Sequence, residues 1–404
     1  MKTNLIEIAI LSLVLSTGTC AEASESCIWF NCDESPCDSC DEVAVSSGGW
    51  IDDILLQRFP NSPLSVDVLY TTDAIANTRG GLRTGEVYSG LLDLVFRTDL
   101  SALGLDRIGG DIVLHGQNSH GGFLRDLVGG TQSNNIDAPP FTAMAEYYWE
   151  RELLDGNGVV RIGRQVGAIE FSVLDVAADF LWGGFIISPN NPVPWYPNPT
   201  VGITGNVQLT DSVNLALGSF NGGAPDQLSP WGWSRNGQVY SVAELTYSYS
   251  LGGRPGDIQN GFWYSSGRFD DPAGGQSYVG NYGYYFGSDQ MLFAEQDPAQ
   301  GLAAFFIYSY APENRNVVEH HFAAGAVYRG LLPGRDNDVL GVGVSTVDFS
   351  TNAALPANET VVELFYKTWL GGRILVQPAL QILDNPSGVL ADSLTAGARL
   401  GFEL

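Results

Sequence analysis

The sequence predicts an all-β fold: a transmembrane, antiparallel, up-and-down β-barrel of about sixteen strands, preceded by a short helical, Cys-rich extension. Three observations carry this expectation. From about residue 66 the chain alternates apolar and polar positions in segments of roughly ten residues, separated by Gly, Asn, Asp and Pro clusters. Past the N-terminus no run of apolar residues approaches the ~20 that a membrane helix needs, so a helical bundle is excluded. The chain ends on one more alternating segment, in which Ala396, Ala398, Leu400, Phe402 and Leu404 share a face opposite Thr395, Gly397, Arg399, Gly401 and Glu403.

The first residues have the form of an export signal. Lys2 gives a positive start, residues 8–15 form a short apolar run, and Ala21-Glu22-Ala23 places small residues where signal peptidase reads them, so residues 1–23 are assigned as a signal peptide cut before Ser24. A competing reading lipidates Cys20, although Thr17-Gly18-Thr19 makes a poor lipobox. Residues 24–64 then form a periplasmic head. It holds Cys27, Cys32, Cys37 and Cys40, an even number that an oxidising compartment permits to pair in any of three ways. Zinc is the alternative, because Cys37 and Cys40 have knuckle spacing, but no histidine lies nearby. Trp50, Ile51, Ile54, Leu55 and Phe59 recur near helical spacing until Pro60 and Pro63 stop them, which reads as a short amphipathic helix.

Residues 65–404 are assigned to the barrel. Leu92, Leu94 and Phe96 oppose Asp93, Arg97 and Asp99, and Ile112 and Leu114 oppose Asp111, His115 and Gln117. Val201, Ile203, Val207 and Leu209 oppose Thr204, Asn206, Gln208 and Thr210, and Leu245, Tyr247 and Tyr249 oppose Glu244, Thr246, Ser248 and Ser250. Barrel closure lets such strands cross lipid because every backbone N–H and C=O pairs internally, and sixteen of them enclose an aqueous bore. Residues 116–141, 182–200 and 221–237 read as long connections; the second is too rich in proline for a strand and is expected outside the cell or folded inward.

Composition narrows the partners. A net charge of -26, from 19 Lys+Arg against 45 Asp+Glu, excludes nucleic acid, whose phosphates need clustered cations, and argues against an anion pore. There is no P-loop, nucleophile elbow or zincin helix, so neither an enzyme nor a cofactor is expected. His115 and the His320-His321 pair read as structural groups on a wet wall rather than metal ligands.

Several strings together resemble the OprB-type carbohydrate-selective porins. Asn77, Gly80-Gly81, Arg83, Gly85 and Tyr88 resemble the family's opening. Residues 146–150 run on through Leu154-Asp155-Gly156 to Arg161-Ile162-Gly163-Arg164 and Glu170-Phe171, like its strand–hairpin–strand. Glu363, Tyr366, Gln377-Pro378, Gln381 and Asn385-Pro386 resemble its last hairpin and loop. The likeness covers residues 65–404 and leaves out the Cys-rich head. It implies an outer-membrane porin of a Gram-negative-type envelope that passes monosaccharides and other small solutes by diffusion, through a constriction of arginines, acids and an aromatic. A general or cation-preferring porin of the same architecture is the alternative, and a non-conducting barrel is the third reading.

Sugars present hydroxyls and a C–H face, which charged side chains and aromatic faces satisfy. Glu146 and Glu150 share one strand face with Tyr148, and a charge facing lipid is costly, so both are expected in the bore with Arg161 on the neighbouring strand. Arg83 and Arg164 hold positions that resemble the family's constriction segments, and Trp182 would fold inward to stack on a sugar. The partners implied are small sugars, with membrane lipids and lipopolysaccharide around the wall; a homotrimer would need a flat apolar patch.

Overall fold

A computed structural model describes residues 62–222 and 237–403. The signal, the cysteines, the amphipathic segment of residues 50–60 and the tryptophans at 231 and 233 lie outside the described residues. Sixteen antiparallel strands close into one barrel, each paired with its sequence neighbours. They are β1 (Leu64–Arg79), β2 (Gly85–Asp99), β3 (Asp111–Gly121), β4 (Phe141–Leu153), β5 (Gly158–Gln165), β6 (Thr200–Thr210), β7 (Val213–Asn221) and β8 (Val239–Leu251). The second half comprises β9 (Arg254–Asp270), β10 (Ser277–Ala294), β11 (Gly301–Tyr310), β12 (Val318–Arg329), β13 (Val339–Phe349), β14 (Glu359–Leu370), β15 (Ile374–Asp384) and β16 (Ser393–Glu403). The final alternating segment closes the cylinder, with Tyr70 of β1 opposite Phe402 of β16. No described helix is long and apolar enough to cross a membrane.

The two rims differ. At one, connections are mostly tight: Gly252 and Gly253, both at positive φ, turn β8 into β9 so that Leu251 pairs with Arg254. The other rim carries the long connections 122–140 and 166–199. Two of the expected loop limits move. Gly116–Gly121 remain in β3, since the ladder from Ser89 to Asp99 of β2 holds them in register. The proline-rich connection starts at residue 166, because Val166 is where the strand's inward carboxylate partner captures the chain (below).

The outer wall is apolar: Ile203, Leu217, Phe262, Val342 and Leu364 are all exposed there. Aromatic side chains gather toward both ends, with Tyr284, Tyr308, Tyr310, His320 and Phe322 in contact near the long-loop rim and Tyr247 and Tyr249 stacked near the other. This is the arrangement of a hydrocarbon band between two interfaces.

The interior is not uniformly polar, as simple alternation would have it. Connection 166–199 folds into the bore, and its Leu174, Val176, Phe180, Leu181, Trp182 and Phe185 are buried against Phe305, Ile307, Ala323, Val361 and Phe365 of β11, β12 and β14. Phe180 stacks on Phe185 at 4.2 Å between ring centroids and meets Phe365 edge-on at 4.9 Å. An inserted loop needs an apolar seat, so the wall beneath it carries one.

Seating such a loop also removes backbone N–H groups from water. Wall glutamates accept them. Glu146 Oε1 accepts from Val166 at 2.7 Å, and Glu244 Oε2 accepts from Ser172 at 2.8 Å. Glu363 receives two bonds, from Leu181 at 2.7 Å and Trp182 at 2.9 Å, and Glu359 Oε2 likewise holds Thr131 and Ser387. Charge-assisted bonds of this kind are stronger than neutral ones, and an orphaned buried donor is costly. We therefore expect Glu363→Ala to destabilise the barrel by roughly 2–5 kcal/mol, from two stranded N–H groups. Urea unfolding followed by tryptophan emission measures this; an unchanged midpoint would remove the anchoring role.

Candidate functional site

Three polar groupings line the interior. The first is a ladder of charges running sideways across β2 to β6. Asp111 is directly opposite Glu150, and Glu150 is directly opposite Arg161, which in turn faces Thr204. Arg97 Nη1 donates to Asp111 Oδ2 at 2.6 Å and to Glu150 Oε1 at 3.2 Å. Arg161 Nε donates to Glu150 Oε2 at 2.7 Å, and its Nη1 reaches Glu170 Oε1 at 3.1 Å. Asn206 Nδ2 closes the row on Glu170 Oε2 at 3.1 Å. The Arg161 guanidinium lies 4.9 Å from the centroid of the Tyr148 ring, a cation–π contact.

Alternation explains why these residues meet. Glu150 and Arg161 occupy inward positions on neighbouring strands, and Glu170 enters from the inserted connection just after β5. Water reaches the row: the side chains of Glu150 and Glu170 are each 15% exposed and Asp111 29%. It thus offers carboxylate acceptors and guanidinium donors side by side on one wall of the bore.

The second grouping is sealed. His115 Nε2 is 2.8 Å from Asp93 Oδ1, and its Nδ1 is 2.9 Å from Glu146 Oε2. Gln117 donates to the same Asp93 oxygen at 2.8 Å. All of His115, Asp93 and Glu146 are fully buried, so this row holds strands β2, β3 and β4 together and ties them to Val166. The third centres on Arg399, whose Nε and Nη2 meet Asp73 Oδ1 and Oδ2 at 2.7 and 2.9 Å, while Nη2 also donates to Asn135 Oδ1 at 2.6 Å. It docks connection 122–140 on the β1–β16 seam. On that connection burial pushes the carboxyl of Asp137 above its usual range, even though Ser133 and the backbone of Leu124 and Arg125 donate to it.

Of the residues expected from sequence, Glu150 and Arg161 stand in the ladder. Glu146 is inward, as expected, but sealed, and it positions the loop instead of meeting solvent. The other three need correction. Arg83 is exposed in the turn between β1 and β2, at the rim, with Nε 3.4 Å from the Asp126 carbonyl. Gly80 forces the turn there: it has φ of +65°, and a Cβ on it would stand 1.8 Å from the Asp392 carbonyl oxygen. Arg164 lies three residues past Arg161 and therefore on the opposite face, paired with Tyr147 and Val201, with Nε 3.2 Å from the Pro199 carbonyl. Trp182 is 1% exposed, packed between the two inserted connections rather than presented to the bore. Arg97, Asp111, Glu170 and Asn206 were not singled out as site residues. Inward parity was readable for Arg97, Asp111 and Asn206; nothing local reveals that Glu170 folds back onto Arg161.

A closed sixteen-strand cylinder, apolar outside, with a connection folded inward and a charged row on the wall, defines an outer-membrane porin rather than an enzyme. The chain belongs to the OprB family of carbohydrate-selective porins, whose family model matches residues 84–404. Porin B of Pseudomonas aeruginosa is 23% identical over 197 residues, an alignment that takes in 39% of this chain and 43% of that protein, less than half its length. The high-pH structure of Pseudomonas putida OprB matches with a TM-score of 0.79 at 20% identity, covering 87% of this chain and 96% of that one. Salmonella typhi OmpF, solved with daunomycin, matches with a TM-score of 0.56 at 10% identity, over 86% of this chain and 99% of that one. At these identities the two structures share its fold.

The ladder predicts a change in ion preference. Arg161→Ala strips the shared cation from Glu150 and Glu170, so the permeability ratio of potassium to chloride should rise roughly severalfold in a planar bilayer. A ratio equal to that of the unaltered protein would show that ions do not sense this row.

Proposed function

We propose that this porin lets monosaccharides and other small solutes diffuse passively across the outer membrane, and that the ladder on β2–β6 is where they touch the wall. The observation that supports the reading most is the side-by-side presentation of Glu150, Arg161 and Glu170 at a wall that water reaches. A passing sugar can exchange hydroxyl–water bonds for bonds to carboxylate and guanidinium, and each exchange is nearly neutral in free energy. Passage needs that balance: binding strong enough to favour entry, weak enough to permit exit. Arg97, Asp111 and Asn206 extend the row, and Glu146 acts through the loop it anchors.

The apolar outer wall suits a jacket of lipid and lipopolysaccharide. Thr72, Ala74, Ala76, Ala396 and Ala398 alternate outward on the β1–β16 seam and are small, which fits contact between copies in a homotrimer. A cation-preferring porin without sugar selectivity is the second reading, favoured by the net charge of -26.

Liposome swelling with a graded series of sugars and size-matched neutral solutes tests the proposal. Sugars should enter faster than their size alone allows; rates set by size alone would leave the second reading. In single channels, Glu150→Gln should weaken block of ion current by glucose at least about threefold, as expected when one charge-assisted hydrogen bond of about 1 kcal/mol or more is lost. Block that is unaffected would take the ladder out of solute contact.

A further inference from the structure

The outward face of the wall carries a group that lipid tolerates poorly, an arginine. Arg151 of β4 alternates outward with Tyr147 and Trp149, while Tyr148 and Glu150 point into the bore. It stands two residues before the end of β4, at the rim of tight turns, which in outer-membrane barrels faces the periplasm. The longest connection at that rim, residues 100–110, folds outward over β4. Arg151 Nη1 donates to the Ile108 carbonyl at 2.6 Å, and Trp149 Nε1 donates to the Gly109 carbonyl at 2.9 Å. Leu103, Leu105 and Ile108 of this connection are all exposed. Its one acid, Asp106, is next to Arg107 in the chain. Arg151 meets no carboxylate among the described residues, since its bond to Ile108 goes to a neutral carbonyl. Beside it the wall is hollow. Arg151 is directly opposite Val160 of β5, and Val160 lines a groove of about 720 Å3 on the outer face. The groove starts at Leu154, by the rim, and passes Leu217 to reach Phe262 and Tyr264, midway along β9.

We infer that Arg151 and this groove bind one phospholipid of the periplasmic leaflet, with its phosphate on the guanidinium and an acyl chain along the groove. A guanidinium pairs with phosphate through two parallel N–H···O bonds, so the headgroup supplies the counter-charge that the chain does not. The rim lies at headgroup depth. From there the groove leads toward the middle of the apolar band, which is the path of an acyl chain. Its volume is in the range of sites that take small organic ligands. Leu103, Leu105 and Ile108 add apolar surface at the interface, where such side chains insert among lipids. Charge separates this occupant from a second copy of the chain, whose apolar outer wall would cover the groove and leave the arginine without an anion. The inference rests on the outer-membrane location and not on which solutes pass.

Native mass spectrometry of the purified full-length barrel, released from detergent after incubation with phosphatidylglycerol, counts the lipid retained. The unaltered protein should keep one molecule per chain. Arg151→Gln should lower the retained fraction roughly tenfold, the effect of losing one charge-assisted contact. Ala243→Phe, which fills the groove from β8 at a distance from the arginine, should lower it as well. Diacylglycerol, which has the chains without the phosphate, should not distinguish the unaltered protein from Arg151→Gln. Heat-modified migration in detergent gels reports folding, and the two substitutions act on different parts of the site, so either folded variant tests it. Retention of phosphatidylglycerol equal to that of the unaltered protein in either variant would overturn the proposal. So would an equal loss of diacylglycerol in Arg151→Gln, or a lipid-free multimer that Ala243→Phe disperses. Sugar entry is read separately by liposome swelling, so failure of that reading leaves this result intact.

Discussion

The interior is organised by carboxylates of the wall that accept hydrogen bonds from the backbone of the inserted connections. A strand ladder satisfies its own N–H and C=O groups, but a chain folded into a bore does not. Glu146, Glu244, Glu363 and Glu359 take the N–H groups of Val166, Ser172, Leu181, Trp182 and Thr131, so the connections are fixed at successive points around the cylinder. Neutral side chains add contacts to the connection's own side chains: Tyr240 Oη donates to Asn191 Oδ1, Ser309 Oγ to Asn190 Oδ1, and His321 Nδ1 lies 3.0 Å from Ser188 Oγ. Without the glutamates the apolar residues of residues 166–199 would still prefer to leave water, but four backbone N–H groups, those of Val166, Ser172, Leu181 and Trp182, would lose the partners that help to fix where.

That fixing divides the bore. Against β11–β14 the connection and the wall share an aromatic and aliphatic seat, which excludes water. Across from it, β2–β6 present the arginine and carboxylate ladder, and the connection contributes Glu170 to it. One inserted segment thus fills part of the bore with its apolar side and adds a partly water-exposed charge, Glu170, to the ladder with its polar side. The sealed row of Asp93, His115 and Glu146 serves both, because Glu146 touches His115 with one oxygen and Val166 with the other. The membership in a carbohydrate-selective porin family is compatible with this division, and the proposed passage of sugars would bring their hydroxyls to the charged, open side.

Much of the barrel is legible from alternation alone. Leu92, Leu94 and Phe96 face outward and Asp93, Arg97 and Asp99 lie on the other face for the reason read from sequence: the pleat sends successive side chains to opposite sides. The same rule places Glu150 and Arg161 together. It also contains the correction to Arg164, whose odd spacing from Arg161 puts it on the other face of the strand, where it is buried with its Nε on the Pro199 carbonyl, a feature that resemblance alone obscured. The inward apolar seat was not legible, because Phe305, Ile307 and Phe365 sit in runs that look apolar on both faces, and period cannot tell lipid from an inserted loop. Trp182 fails for a related reason: an aromatic beside two glycines is as well suited to packing between connections as to stacking on a solute.

By itself the sequence determined the closed, membrane-facing cylinder and the polarity of most of its wall, since the pleat is a local property and lipid tolerates no unpaired backbone or facing charge. Only the tertiary structure decided what fills the bore and which charges remain open to it. Those depend on where connections 122–140 and 166–199 return to the wall, through contacts such as Glu363 to Trp182 and Arg399 to Asn135 that join residues far apart in the chain. No local pattern encodes such partnerships, because each is chosen by shape and charge at the place where the loop lands.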